Sequence, residues 1–145
     1  MSPDDDGPLT PFEEAIVRAQ RGETGLAPVL DAFEQSRILV PSRTDSPDGD
    51  LGGIDPLVFE APPGKMLVAV SHPSRLTEFV PMAPFALEVW GADLVMMTPR
   101  GAGIIVNPRH EIGLELVPSL IDILRQRRGR HVAQDALRNQ SDVDE

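Results

Sequence analysis

The 145-residue chain contains no cysteine and no tyrosine. The lack of cysteine excludes disulfides, thiolate nucleophiles, zinc fingers and iron–sulfur clusters, and it leaves no sign of an oxidising compartment. Aromatic residues make up only 4% of the chain, against 41% for all hydrophobic residues. Aliphatic side chains and methionine must therefore fill the core of the single domain that this length allows.

Long apolar runs are also missing. No stretch approaches the roughly 18 residues that a membrane span needs, and the opening MSPDDDGPLTPFEE has neither the basic nor the apolar region of a signal peptide. We therefore expect a cytoplasmic protein with no membrane partner. The net charge of −10 repels phosphate backbones, so no nucleic-acid partner is expected either.

The distribution of polar residues predicts one folded unit. Residues 1–8 are rich in Asp, Pro and Gly and are expected to form a disordered N-terminus. Residues 130–145 are expected to form an acidic flexible tail, which leaves residues 9–129 as the expected single domain. Within that domain, residues 45–53 are too polar and glycine-rich for a strand and predict a surface loop.

Helix-start signals are clear at two places. In Thr10-Pro11-Phe12-Glu13, Thr10 is placed to cap the helix, Pro11 takes the first helical position, and Glu13 completes a capping box. This pattern predicts a helix over 10–21, with Glu13 and Glu14 as capping and solvent-facing residues. A second helix is expected to begin near Pro28 or one turn earlier, which gives a helical hairpin. Pro118 is expected to open a final helix over 118–128.

Short apolar runs between these helices predict strands. Pro41 is expected to stop a strand over 38–40, and Pro108 to end another over 104–106 while holding Asn107 extended. Residues 90–97 fit both periodicities, and we favour a short helix there. The other predicted elements are a hairpin of strands 57–60 and 65–71, a short helix opened by Pro73 and capped by Ser71 or His72, a strand from 85 to 89, and a half-exposed strand over 112–116. The fold class is therefore α+β, with a mixed or antiparallel sheet of about five short strands.

No assembled catalytic or metal site is visible. Hydrolytic chemistry usually requires histidine as the base, and the three histidines are His72, His110 and His131. His110 has no partner at helical zinc-motif spacing. The glycines at 101 and 103 lead into a strand rather than a helix, which argues against a phosphate-binding loop. We expect no enzyme activity, no metal and no cofactor.

The order of three segments resembles the N-terminal domain of the SseB (enhanced serine sensitivity) family. The segments are VLDAFEQSRILVPS, PLVFEAPPGKMLVAVSHPSRLTEFVP and GAGIIVNPRHEIGLELVPSLIDIL. They include a short helix from Ser71 to Leu76 and an apolar strand that closes in Asn107-Pro108. The resemblance covers about residues 24–128. It implies a small bacterial cytoplasmic binding or regulatory module with no assigned catalytic residues.

Two hypotheses about function remain open. The leading one is a non-catalytic protein-interaction module, with a homodimer as one of its forms, that uses a sheet edge or the surface near Trp90, Met96 and Met97. Tryptophan and methionine also fill cores, which is the interpretation we favour for these three. The alternative is a small-ligand-binding or cryptic hydrolytic or metal-binding domain that uses His72, Arg109 and His110. The candidate binding residues are His72, Arg75, Trp90, Asn107, Arg109 and His110.

Overall fold

A computed structural model describes residues 7–45, 54–61 and 64–127. The expected N-terminal disorder and acidic tail, most of the loop over 45–53, and the turn residues 62 and 63 lie outside the described residues. The domain boundaries therefore stay a prediction.

The N-terminal helical hairpin is confirmed. Helix α1 spans Pro11–Gln20, and the Thr10 hydroxyl accepts a hydrogen bond from the Glu13 amide at 3.1 Å, as the capping pattern predicts. Helix α2 spans Ala27–Glu34. The two helices meet through Phe12 and Phe33, whose rings lie edge to face with centroids 5.5 Å apart.

Strands β1 (Arg37–Ser42) and β4 (Phe85–Trp90) form a two-stranded antiparallel sheet. The prediction that Pro41 stops β1 was wrong, because the strand continues through it. Pro41 lies opposite Ala86, and its carbonyl points away from β4, where it accepts a hydrogen bond from the Leu57 amide. The donor that proline lacks would point to that same side, so the ladder with β4 loses nothing.

The second sheet has four strands in the order β2-β3-β5-β6. These are β2 (Val58–Ala61), β3 (Gly64–Ala69), β5 (Gly103–Val106) and β6 (Leu114–Leu116). The β2–β3 hairpin is antiparallel as expected, β3 and β5 are parallel, and β5 and β6 are antiparallel. Leu39 and Val70 exchange backbone hydrogen bonds of 2.9 and 2.8 Å and join the two sheets. The mixed-sheet prediction is confirmed, with six strands in the described residues instead of about five.

The remaining helices cover the sheets. A 3₁₀ helix spans Pro73–Phe79, α3 spans Gly91–Met97, and α4 occupies 118–127, which confirms the helix favoured over 90–97. The predicted strand over 112–116 is shorter than expected, because Ile112 belongs to the preceding corner. Alternate residues at the end of β3 and just after it enter two apolar clusters. Leu67 and Ala69 pack with the α-helices, and Val68 and Val70 pack with Phe79 of the 3₁₀ helix.

Gly91 permits a close approach between α3 and the end of α2. A Cβ atom at position 91 would lie 1.8 Å from the Phe33 carbonyl oxygen. We expect Gly91→Ala to lower the free energy of unfolding by about 2–3 kcal/mol, because the obstacle is backbone and cannot rotate away. Gly25 is the matched control, since a Cβ there meets nothing within 4 Å. Urea denaturation of both variants checks this, and equal stabilities would contradict it.

Candidate functional site

A buried ion pair joins α1 to the 3₁₀ helix. Glu13 has no exposed surface, and Arg75 is 8% exposed. The Arg75 Nε donates to Glu13 Oε2 at 3.0 Å, while its Nη2 donates to Oε1. Ser71 Oγ also donates to Oε2. The interpretation of Glu13 as solvent-facing was therefore wrong, although Glu14 is exposed as expected.

The surroundings of Glu13 favour its charged form. Burial alone would raise the pKa of this carboxyl. Hydrogen bonds from Arg75, Ser71 and the Leu9 amide, together with the Arg75 charge, outweigh burial and hold the pKa below its ordinary value. A carboxylate with a lowered pKa is a weak base, so the Ser71–Glu13 contact does not make an activated serine nucleophile.

The corner after β5 closes the network from the other side. Asn107 Nδ2 donates to Ser71 Oγ and to the Ile112 carbonyl, each at 2.8 Å, and its Oδ1 accepts from the Ser71 amide at 3.1 Å. The expectation of an extended Asn107 was wrong. Its φ of 52° lies in the left-handed region, which asparagine enters more readily than most residues. Arg109 shares this conformation, with a φ of 67°.

His110 holds the outer side of Arg75. Its Nε2 lies 2.6 Å from Arg75 Nη1, and its Nδ1 faces the Ile112 amide at 3.1 Å. A guanidinium and an amide N–H can only donate, and a neutral imidazole accepts at one of its two nitrogens, so only one of these two contacts is a hydrogen bond. Both ring nitrogens face groups of the domain itself, one at Arg75 and the other at Ile112.

Ser71 also lines a groove of about 550 Å³, which we call the Trp90 groove. It runs along the β1–β4 face between the start of α1 and the end of α2. Trp90 is 45% exposed on its wall, and the Arg37 guanidinium stacks 4.3 Å from the centroid of the Trp90 ring. The residues that line it are Thr10, Pro11, Ala32, Gln35, Ser36, Arg37, Leu39, Ser71, His72, Pro73, Glu88 and Trp90.

A family model described as the SseB protein N-terminal domain matches residues 12–122. The chain belongs to the SseB family. The match contains the five residues whose side chains form the network around Glu13, which are Glu13, Ser71, Arg75, Asn107 and His110. It also contains all but the first two lining residues of the Trp90 groove, and it confirms the resemblance seen in the sequence. No curated protein and no solved structure shows a match to the chain.

The SseB domain brings together some of its predicted binding residues and separates others. Arg75, Asn107 and His110 meet in the buried network. His72 lies in the groove instead, where its Nδ1 accepts from the Ser74 amide at 3.1 Å and caps the 3₁₀ helix as predicted. Arg109 is exposed and, with His110, lines a separate cavity of about 250 Å³.

The preference for Trp90, Met96 and Met97 as core residues was wrong. They are 45%, 50% and 46% exposed. Within residues 7–45, 54–61 and 64–127, no cluster of three metal-ligating side chains occurs. In the same segments, no helix is both long and apolar enough to cross a bilayer.

The sequence patterns did not identify two members of the network, Glu13 and Ser71, as site residues. The capping pattern around Thr10 already explains an acidic residue at position 13. The sequence therefore offers no reason to expect the ion pair between Glu13 and Arg75. Glu13 and Arg75 are 62 positions apart, so no spacing rule connects them. No local feature of the 3₁₀ helix, whose sequence is PSRLTEF, distinguishes Arg75 from a surface arginine.

Proposed function

We propose that this SseB domain is a non-catalytic protein-interaction module with a regulatory role, and that it binds its protein partner in the Trp90 groove. The half-exposed Trp90 on the groove wall is the observation that carries the proposal. Tryptophan and arginine are the residues most enriched where binding energy concentrates at protein interfaces. Here the two stack on each other at the rim of a concave surface.

The groove has the composition of a recognition surface. Leu39 and Pro73 supply apolar contact area, while Arg37 and Glu88, 3.6 Å apart, supply charges of both signs. An apolar centre with a polar rim is the usual anatomy of protein interfaces. Arg37 and Glu88 are each more than half exposed, so their charges remain available to a partner.

The buried network supports a non-catalytic role. Its carboxylate is paired with Arg75, its serine hydroxyl donates to Glu13 and accepts from Asn107, and the ring nitrogens of its histidine face Arg75 and Ile112. In the described part of the chain, no buried side-chain nitrogen or oxygen lacks a hydrogen-bond partner. A network whose buried polar atoms are hydrogen-bonded within the protein is typical of a structural role. A catalytic group needs an atom that is available to a substrate.

The size of the groove favours one alternative. A volume of about 550 Å³ falls within the range of small-molecule sites, which is roughly 300–1,000 Å³. His72, Ser36 and Gln35 could orient a polar ligand there. The hydrolytic and metal-binding versions of this alternative have less support, because Arg109 and His110 line a different cavity.

Replacing Trp90 by alanine is expected to weaken partner binding by about 30-fold or more, since loss of a buried interface tryptophan typically removes at least about 2 kcal/mol. Wild-type and Trp90→Ala domains would be used as baits in extracts of the source organism. Proteins retained only by the wild type would then be purified and titrated calorimetrically.

Met82 supplies the matched control, because it is 52% exposed and lies outside the groove. Met82→Ala should retain the partner with unchanged affinity. Equal retention by Trp90→Ala would contradict the groove as the binding surface. A metabolite held by the wild type in native mass spectrometry and lost in Trp90→Ala would support the small-ligand alternative.

A further inference from the structure

Strand β4 has an unpaired outer edge among the described residues. Its one strand partner there is β1. The Gly91 amide donates to the Ser36 carbonyl at 2.9 Å, so residues 36 and 91 form a hydrogen-bonded pair. Hydrogen-bonded and non-hydrogen-bonded pairs alternate along an antiparallel ladder. Ala86 and Glu88 therefore direct their backbone N–H and C=O groups outward. Trp90 directs its N–H outward, but its carbonyl accepts the first hydrogen bond of α3, because Trp90 is the N-cap of that helix.

The other neighbour of β1 supports the same assignment. Leu39 is the residue opposite Glu88, and it exchanges hydrogen bonds with Val70 on the far side of β1. Since Leu39 turns its backbone groups away from β4, Glu88 turns its own away from β1. The outer edge of β4 thus presents three N–H donors, on Ala86, Glu88 and Trp90, and two carbonyl acceptors, on Ala86 and Glu88.

The usual devices that protect a sheet edge are absent from β4. It has no lysine, no proline and no bulge, and Glu88 is its one charge. Arg37 lies 3.6 Å from the Glu88 carboxylate and offsets that charge. A two-stranded sheet is marginal by itself, so pairing at this edge adds strands where the fold has fewest.

We propose that two copies of this chain pair through β4 in antiparallel fashion, which creates one continuous four-stranded sheet. The twofold axis passes beside Leu87. In this register Ala86 lies opposite the second copy's Glu88, and Phe85 lies opposite the second copy's Val89. Phe85, which is 42% exposed in the single chain, gains an apolar cross-strand neighbour.

Each of the other three registers has a specific disadvantage, which is charge repulsion, a shorter overlap or a missing amide donor. An axis beside Glu88 would place two carboxylates directly opposite each other, which is destabilising. An axis beside Val89 would shorten the overlap, because α3 begins at Gly91. An axis beside Ala86 would run the pairing into Pro84, which has no amide to donate.

Pairing about this axis has a consequence for the surface. Rotation about a twofold axis perpendicular to the sheet keeps each side chain on its original face of the sheet. The Trp90 grooves of both copies therefore lie on the same face of the joined sheet. The pairing itself does not depend on what those grooves bind.

Ala86→Pro tests the pairing without disturbing β1. Proline at this position removes an outward N–H and leaves the hydrogen bonds to β1 intact, and Pro41 already occupies the opposite position on β1. Sedimentation velocity from about 1 µM to about 1 mM should show a concentration-dependent dimer for the wild type. We expect the dissociation constant of Ala86→Pro to rise at least about tenfold, and that of the Ala86→Ser control to stay unchanged. A monomeric wild type at the highest concentration, or unaltered dimerisation of a folded Ala86→Pro, would overturn the proposal.

The absence of cysteine allows a second test that does not rely on the proline variant. In the proposed register, Ala86 and the second copy's Glu88 have Cα atoms about 5.5 Å apart, which suits a disulfide. Identical positions lie diagonally at about 7–8 Å, beyond easy reach. An oxidised mixture of Ala86→Cys and Glu88→Cys should therefore crosslink faster than either variant alone. Equal rates, or no crosslinking in any sample, would refute the register.

Discussion

Replacing Arg75 by alanine is expected to lower the free energy of unfolding by about 3–5 kcal/mol. The reason is that Glu13, with no exposed surface, would keep its buried charge and lose two of the four hydrogen bonds that its carboxylate accepts. Those two come from Arg75, and the other two come from Ser71 and the Leu9 amide. Breaking one side of a buried ion pair typically has an effect of this size, because the remaining charge is uncompensated. Urea denaturation followed by circular dichroism measures it.

Arg18 provides the control for this substitution. It lies on the exposed side of α1, and Arg18→Ala should change stability by less than about 0.5 kcal/mol. Replacing Glu13 and Arg75 together by leucine and methionine should recover much of the loss, since apolar residues of similar volume leave no buried charge. If Arg75→Ala changes the free energy of unfolding no more than Arg18→Ala does, the ion pair does not stabilise the fold.

The lowered pKa of Glu13 predicts the direction of a pH effect. The unfolded chain binds a proton at this carboxyl near its ordinary pKa of 4.5, whereas the folded chain does so only at lower pH. The stabilisation is therefore complete above the ordinary pKa and is lost as pH falls from there toward the folded value. Glu13→Gln should flatten the fall of stability with acid in this window. An unchanged acid slope in that variant would contradict the assignment.

Asn107→Ala is expected to destabilise the domain by about 3 kcal/mol. The substitution removes two donors and one acceptor, and it leaves the buried Ser71 amide and the Ile112 carbonyl without their side-chain partner. Alanine also tolerates the left-handed backbone at this position less well than asparagine does. Thermal and urea denaturation of the purified variant measure the loss.

Two further variants at the same position separate the backbone from the hydrogen bonds. Asn107→Gly accepts the positive φ but makes no side-chain contacts, so it should be more stable than Asn107→Ala by about 1 kcal/mol. Asn107→Asp keeps the acceptor for the Ser71 amide and loses both donors. If glycine restored full stability, the hydrogen bonds of Asn107 would have no net effect.

Most of the secondary structure could be predicted from local patterns. Thr10, Pro11 and Pro118 mark helix starts through capping and fixed φ, and these effects act within one turn of chain. The hairpin of β2 and β3 and the helix at Gly91–Met97 were also anticipated. Pro41 misled the prediction because a strand's tolerance for proline depends on which neighbour lies on each side, and sequence does not show this.

The candidate site was predictable only in part. Arg75, Asn107 and His110 were selected as polar residues at the ends of strands and helices, where the fold does gather them. His72 and Arg109 were selected for the same reason but face different cavities. A rule based on chain position identifies which residues can meet at an edge, and it does not determine which side of that edge each one faces.

The sequence by itself determined the α+β class, the helix boundaries and the membership of the SseB family, because these depend on short-range periodicity, capping and the order of motifs. Only the tertiary structure decided that Glu13 turns inward to Arg75, that Asn107 adopts a left-handed conformation, and that Trp90 stays exposed beside a groove. Each of these depends on contacts between segments far apart in the chain. Burial and side-chain pairing are set by tertiary packing, and the local propensities of the residues do not predict them.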